Sequence, residues 1–261
     1  MKYSVCVDAL YSGKNFYDSI REIKKAGVNA IEFWAWWKDR DMIETKALCD
    51  SLDMRIAAFC TNTSSGLTTS VNREVFINSL KESIEVAKAT NTSTLIVTVG
   101  PDTGAPRKEQ HQNIVESLRV AVPLIGQSGI TLVIEPLNTT VDHKGYYLWS
   151  SDEAFEIIDE LGSPNIKVLF DIYHQQIMEG NIISRITANI DKIGHIHAAG
   201  VPGRHEIDTG EIKYSSVFKA IDKAGYKGFV GLEYFPIDEA KIGLDRLMKA
   251  GIINNIDNIS D

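Results

Sequence analysis

The chain has 261 residues, 44% of them hydrophobic and 24% charged, with a formal net charge of −8. That balance excludes a disordered polypeptide and supplies apolar material for one substantial core. The acidic surplus repels a nucleic-acid backbone, and no cluster of Lys and Arg overrides it, so no DNA or RNA partner is expected.

In chain order, Met1-Lys2-Tyr3-Ser4-Val5 reads as a strand that soon meets Asp8, not as a signal peptide. No apolar run reaches membrane-spanning length, so a cytoplasmic protein without membrane association is expected. The strand candidates are Tyr3–Val7, Ala30–Trp34, Arg55–Phe59, Thr94–Val99, Thr131–Glu135, Lys167–Asp171, Ile193–Ala198 and Phe229–Glu233. Each is a compact run rich in Val, Ile, Phe or Leu, as strands buried on both faces require. Between them lie helical patterns. Phe16–Ala26 stops at Gly27, Val75–Ala89 spaces Leu80, Ile84 and Ala87 on one face, and Lys108–Gly129 aligns Ile114, Leu118 and Val122. Asp152–Leu161, Ser215–Ala224 and Glu239–Ala250 are each followed at once by Gly.

Eight strands alternating with helices in about 250 residues predict an α/β protein with a closed (β/α)₈ TIM barrel, as one domain over residues 1–261. An open doubly wound sheet is disfavoured, because no GxGxxG follows the first strand. The polar Asn254–Asp261 is expected to be a frayed tail. The longest loops are expected after strands four, five and seven, at the end where barrel enzymes build their sites. Cys6, Cys49 and Cys60 form an odd set without CxxC spacing, which fits a reducing compartment. Cys6 and Cys60 lie in apolar strand-like runs and are expected to be buried structural residues. A homo-oligomer is compatible with such a barrel, although no interface signature marks the sequence.

Four side chains able to bind metal close four successive strands: Glu135, Asp171, His197 and Glu233. One acidic residue at a strand end is ordinarily a helix N-cap or a turn residue. Four in succession, each after a nearly uncharged run, are not explained by capping. In a closed barrel these ends converge, and three carboxylates with one imidazole suit a single divalent cation: Mn²⁺, Mg²⁺ or Co²⁺, with Zn²⁺ possible. His195 shares the parity of His197, and either could be the ligand; His197 lies nearer the mouth and is preferred.

Further polar groups surround this quartet. His174 is read as a substrate hydrogen-bond donor or a loop brace, and Gln175 and Gln176 as exposed or loop-bracing. Arg204 could neutralise a substrate carboxylate or phosphate, or else pair with Glu206 or Asp208 at the surface. Glu32 interrupts an apolar strand and could face inward or toward a helix. Trp34, Trp36 and Trp37 could wall the pocket or pack between barrel and helices. GxSxG, GxxxxGK and paired CxxC motifs are absent, which removes serine-hydrolase, P-loop and zinc-ribbon readings.

At these residues the chain resembles the hydroxypyruvate isomerase family of xylose isomerase-like barrels. The resemblance rests on Glu135-Pro136-Leu137-Asn138, Gly145-Tyr146-Tyr147-Leu148, the run Phe170–Gly180, Pro202-Gly203-Arg204-His205-Glu206, Thr209-Gly210-Glu211-Ile212 and Gly231-Leu232-Glu233-Tyr234. It is detailed from strand five to strand eight and general before that. It implies a metal held by Glu135, Asp171, the strand-seven residue and Glu233, with the two glutamates handling protons. The implied reaction is hydroxypyruvate to tartronate semialdehyde through a cis-enediolate, with His174 and Arg204 as substrate-binding residues. Hydroxypyruvate isomerases usually carry Gln where this chain has His197, and histidine there is more like the ketose 3-epimerases. A ketose 3-epimerase or a 2-oxo-tetronate isomerase is therefore the alternative outcome on the same scaffold. A non-catalytic sugar-binding protein is disfavoured by the paired glutamates, and an endonuclease IV-like nuclease by the six histidines and the net charge.

Overall fold

A computed structural model of the chain describes residues 1–62 and 66–253; the expected tail Asn254–Asp261 lies outside them. The strands are β1 (Lys2–Cys6), β2 (Ala30–Phe33), β3 (Arg55–Cys60), β4 (Thr94–Val97), β5 (Thr131–Ile134), β6 (Ile166–Asp171), β7 (Ile193–Ala198) and β8 (Phe229–Leu232). All pair in parallel in sequence order, and β8 returns to β1 through Ser4 opposite Gly231, so the sheet closes as a barrel.

The helices are α1 (Val7–Leu10) and α2 (Phe16–Lys25) after β1, α3 (Met42–Ser51) after β2, α4 (Arg73–Thr90) after β3 and α5 (Arg107–Ser128) after β4. Then come α6 (Ser151–Leu161) after β5, α7 (Ile172–Met178) and α8 (Ile182–Ala188) after β6, α9 (Tyr214–Lys223) after β7 and α10 (Ala240–Lys249) after β8. Local chemistry sets their ends. Asn15 caps α2 by accepting from the Asp18 amide, and α6 stops at Gly162 in the left-handed conformation. Ile20 and Ile23 of α2 are fully buried in the main core, each contributing roughly 1.5–3 kcal/mol by burial. Helix α3 is built differently. Only Thr45 and Cys49 are buried in it, so its inner face is not an apolar stripe, and Asp41 starts it by accepting from the Ile43 and Glu44 amides.

Two cores result. The larger fills the layer between barrel and helices, while Ala58, Ile96, Val133 and Leu169 pack together inside the barrel. The opposite half of the interior is polar: Ser4, Glu32, His195 and His197 are all buried there. Two irregularities in register accompany this division. Glu32 pairs with Ala58 after Ile31 pairs with Ile56, so Ala57 is passed over. Likewise Leu169 pairs with His195 after Val168 pairs with Ile193, passing over Gly194. Such bulges re-aim the side chains that follow them. The connections after β5 and β7, at 135–150 and 199–213, are the longest, as expected; that after β4, at 98–106, is shorter than the 61–72 interval between β3 and α4. Among the described residues, no helix is long and apolar enough to cross a membrane.

Candidate active site

At the C-terminal rim of the barrel, Glu135, Asp171, His197 and Glu233 are all buried and offer ligand atoms within 4.8 Å of one another. The four residues expected to converge do so. Asp171 serves both readings of a strand-end acid at once. Its Oδ1 accepts from the Tyr173 amide at 2.8 Å and caps α7, while its Oδ2 has no hydrogen-bond partner. Glu135 Oε1 and His197 Nδ1 are likewise buried without hydrogen bonds. His197 Nδ1 stands 3.1 Å from Glu233 Oε2 and 3.7 Å from Glu135 Oε1. Unsatisfied buried polar atoms are costly, and three of them beside one point could be satisfied together by a bound cation. Three carboxylates and an imidazole form an oxygen-rich donor set that fits a hard or borderline divalent ion.

His195 is not part of this quartet. Its Nε2 meets Glu32 Oε2 at 2.9 Å, and Ser4 Oγ donates to the same oxygen at 2.8 Å. The other oxygen of Glu32 lies 2.9 Å from His197 Nε2, although that pair is not aligned as a hydrogen bond. Glu32 therefore faces inward, beneath the quartet, and His197 has its Nε2 edge toward Glu32 and its Nδ1 edge toward the carboxylates. Burial would raise the Glu32 pKa, but the two histidines outweigh it and hold the carboxyl at about 2.

Arg204 makes neither of the surface pairs considered for it. It donates from Nη2 to Glu233 Oε2 at 2.5 Å and lies 3.5 Å from Asp171 Oδ2, while Asp208 is taken by Arg246. Trp34 donates from Nε1 to Glu233 Oε1 at 2.5 Å, which puts the first tryptophan of the cluster in the site. Trp36 and Trp37 instead stack edge to face on each other. Burial favours the neutral form of Glu233, yet Arg204, His197 and the Trp34 hydrogen bond hold it well below the usual carboxylate range. Asp171 behaves oppositely: burial pushes it up to about 7 against the pull of Arg204 and His197. The cluster thus takes up a proton more readily at Asp171 than at Glu233.

His174 is fully buried, with Nε2 3.4 Å from Asp171 Oδ2 and no hydrogen-bond partner for that nitrogen. Gln175 is buried rather than exposed, and braces the β5 loop by donating to the Pro136 carbonyl at 3.0 Å. Gln176 donates to Glu211. Cys6 is buried 4.0 Å from Glu233 Oε1, and burial raises its thiol well above the ordinary value, which suits an inert residue rather than a nucleophile. Glu32 and Trp34 are among the residues whose placement the sequence left open. Trp34 had one legible sign, its position just beyond the same rim as the quartet.

A family model described as a xylose isomerase-like TIM barrel matches residues 20–250. The chain belongs to this family. Within it, the chain is 38% identical over 172 residues to hydroxypyruvate isomerase of Escherichia coli, a match covering 66% of each chain. It is 32% identical over 251 residues to 2-oxo-tetronate isomerase of Cupriavidus necator, covering 93% of this chain and 96% of that one. Among solved structures, an AP endonuclease of family 2 from Brucella melitensis superposes with a TM-score of 0.89 at 27% identity, over 94% of this chain and 97% of that one. The expected barrel family and the resemblance to hydroxypyruvate isomerases are both borne out.

Proposed function

We propose that this protein is an isomerase of small hydroxy-carbonyl acids that works with one divalent metal ion held by Glu135, Asp171, His197 and Glu233. Hydroxypyruvate to tartronate semialdehyde is the preferred reaction. The observation that carries the proposal is the convergence of those four buried side chains, three with a ligand atom left unpaired. Relatives named for hydroxypyruvate and 2-oxo-tetronate support the substrate class. Mn²⁺, Mg²⁺ and Co²⁺ suit the donor set best and Zn²⁺ is compatible. A cation held by these four residues would supply positive charge to stabilise the negative charge that develops on the substrate.

The chain's own residues supply the proton chemistry. One of Glu135 and Glu233 removes a proton from the hydroxymethyl carbon, and the other delivers a proton to the neighbouring carbonyl carbon. The hydroxyl proton passes to the former carbonyl oxygen, so the atoms balance through a cis-enediolate. Trp34 and Arg204 keep Glu233 charged and fixed in orientation. Arg204 and the Nε2 edge of His174 are the groups available to the substrate's carboxylate and enediolate oxygens. The partner in this reading is a small molecule, with neither nucleic acid nor membrane involved. A nuclease reading gains little, since the ligand clusters among the described residues are the quartet and Glu32, His195 and His197, which share one histidine.

Retention of His197 among the ligands keeps 3-epimerisation as the second reading, in which the proton returns to the same carbon from the opposite face. The test is a metal-reconstituted panel of hydroxypyruvate, 2-oxo-tetronates and free ketohexoses, with proton exchange followed by NMR in D₂O. Glu135→Gln and Glu233→Gln should each lower turnover by roughly 10²–10⁴-fold while the barrel stays folded. Substantial activity in both variants would overturn the assignment.

A further inference from the structure

Asn138 sits at the start of the β5 loop, fully buried, and its amide orientation is fixed from both ends. Oδ1 accepts from the backbone amides of Val141 at 3.1 Å and Asp142 at 2.9 Å. Nδ2 lies 2.8 Å from Asp142 Oδ2 and 2.7 Å from His174 Nδ1. Rotating the amide by half a turn would set its NH₂ against two N–H donors and its oxygen against a carboxylate. The observed orientation is therefore the one that satisfies all four contacts.

An NH₂ group can only donate, so the nitrogen it faces must present a lone pair. His174 Nδ1 is then the acceptor, and in the neutral ring the single proton resides on Nε2. A ring that accepts at Nδ1 cannot carry a proton there as well, so this contact is met by the neutral imidazole and not by the imidazolium. Its Nε2 is the edge 3.4 Å from Asp171 Oδ2 that has no hydrogen-bond partner.

We infer that Asn138 is a positioning residue that fixes the tautomer of His174, so that a neutral Nε2–H donor faces the oxygen of the substrate on which negative charge develops. This rests on the isomerase reading for its substrate, but the tautomer itself does not. A neutral ring donates a hydrogen bond without adding a further cation beside the proposed metal ion and Arg204. The specificity consequence follows from the single proton: His174 serves a carbonyl, enediolate or carboxylate oxygen and cannot accept from a hydroxyl at that edge.

The rival explanation is that Asn138 merely shapes the loop, since its Oδ1 contacts alone would do so. The double variant Asn138→Asp with Asp142→Asn separates the two. Asp at 138 keeps an oxygen for the Val141 and Asp142 amides, and Asn at 142 restores a donor toward it. Only the group facing His174 Nδ1 changes, from a donor to an acceptor. Nitrogen-15 NMR of histidine-labelled, substrate-free protein should show His174 protonated at Nε2 in the wild type and at Nδ1 in the double variant. Turnover should fall roughly 10²-fold, the scale for losing one donor aimed at a developing oxyanion. In a His174→Gln background, where the side-chain amide donates without a tautomer, the same pair of changes should lower kcat no further. A wild-type His174 protonated at Nδ1, or an equal loss of kcat in the His174→Gln background, overturns the inference. If the wild type turns over no substrate in the panel, the isomerase reading fails while the NMR result still decides the tautomer.

Discussion

Gly231 and Glu32 occupy one space inside the barrel: a methyl group on Gly231 would lie 2.2 Å from Glu32 Oε1 and 2.6 Å from Oε2. The carboxylate cannot swing away cheaply, because Ser4 and His195 bind one of its oxygens and His197 stands against the other. Glycine at 231 is thus what admits an acid beneath the four converging side chains.

Gly231→Ala should therefore destabilise the protein by about 1–3 kcal/mol, the usual scale of overpacking. The cost should shrink when Glu32 is shortened to Ala in the same molecule. Urea midpoints of the two single variants and the double variant check this; additive losses would mean that the two residues do not share the space.

Glu32→Gln keeps the size of the side chain and removes its charge. A ligating histidine whose other edge faces a carboxylate is a better-oriented and more basic ligand. Manganese affinity, measured by calorimetry, should fall roughly 10–100-fold. Unchanged affinity would show that Glu32 does not act through His197.

Asp171→Asn preserves the oxygen that caps α7 and removes the buried charge. The folded-state pKa of Asp171 is raised to about 7, by burial first. An unfolded aspartate titrates near about 3.9. The folded metal-free protein therefore holds this proton more tightly than the unfolded chain. Ionising Asp171 costs the fold more as pH rises from about 4 to about 7, by about 1.4 kcal/mol for each pH step of one, and no more above that. In EDTA at pH 8 the Asn variant should resist urea better than the wild type, and the gap should narrow toward pH 5. Manganese should reverse the order, because binding stabilises only the chain with the full ligand set. A wild type more stable than the variant in EDTA at pH 8 would contradict the raised pKa.

The ends of the strands were legible because each couples an apolar run to one charged residue, and closure of the barrel turns four separate positions into one site. Asp171 shows how the local and the functional signals coincide, one oxygen capping a helix and the other facing the quartet. Glu32 was illegible for a physical reason. It stands opposite Cys6 of β1 and Ala58 of β3 and so turns inward with them, and alternation within a single strand does not say which of its two faces meets the barrel interior. The same holds for His195, which shares an interior face with His197 but ends on Glu32 instead of the rim. Arg204 stays open in the sequence between the substrate and a surface pair, because Glu206 and Asp208 are near it in the chain, whereas the fold returns it to Glu233 at the end of β8. Helix α3 carries no helical signature in the sequence, because its buried face is Thr45 and Cys49, which give no apolar stripe.

The most direct measurement is the anomalous signal of a crystal grown or soaked with manganese. The account predicts one strong peak at about 2.0–2.4 Å from oxygens of Glu135, Asp171 and Glu233 and from Nδ1 of His197. A peak bound elsewhere, or none at a manganese concentration that supports turnover, would contradict it.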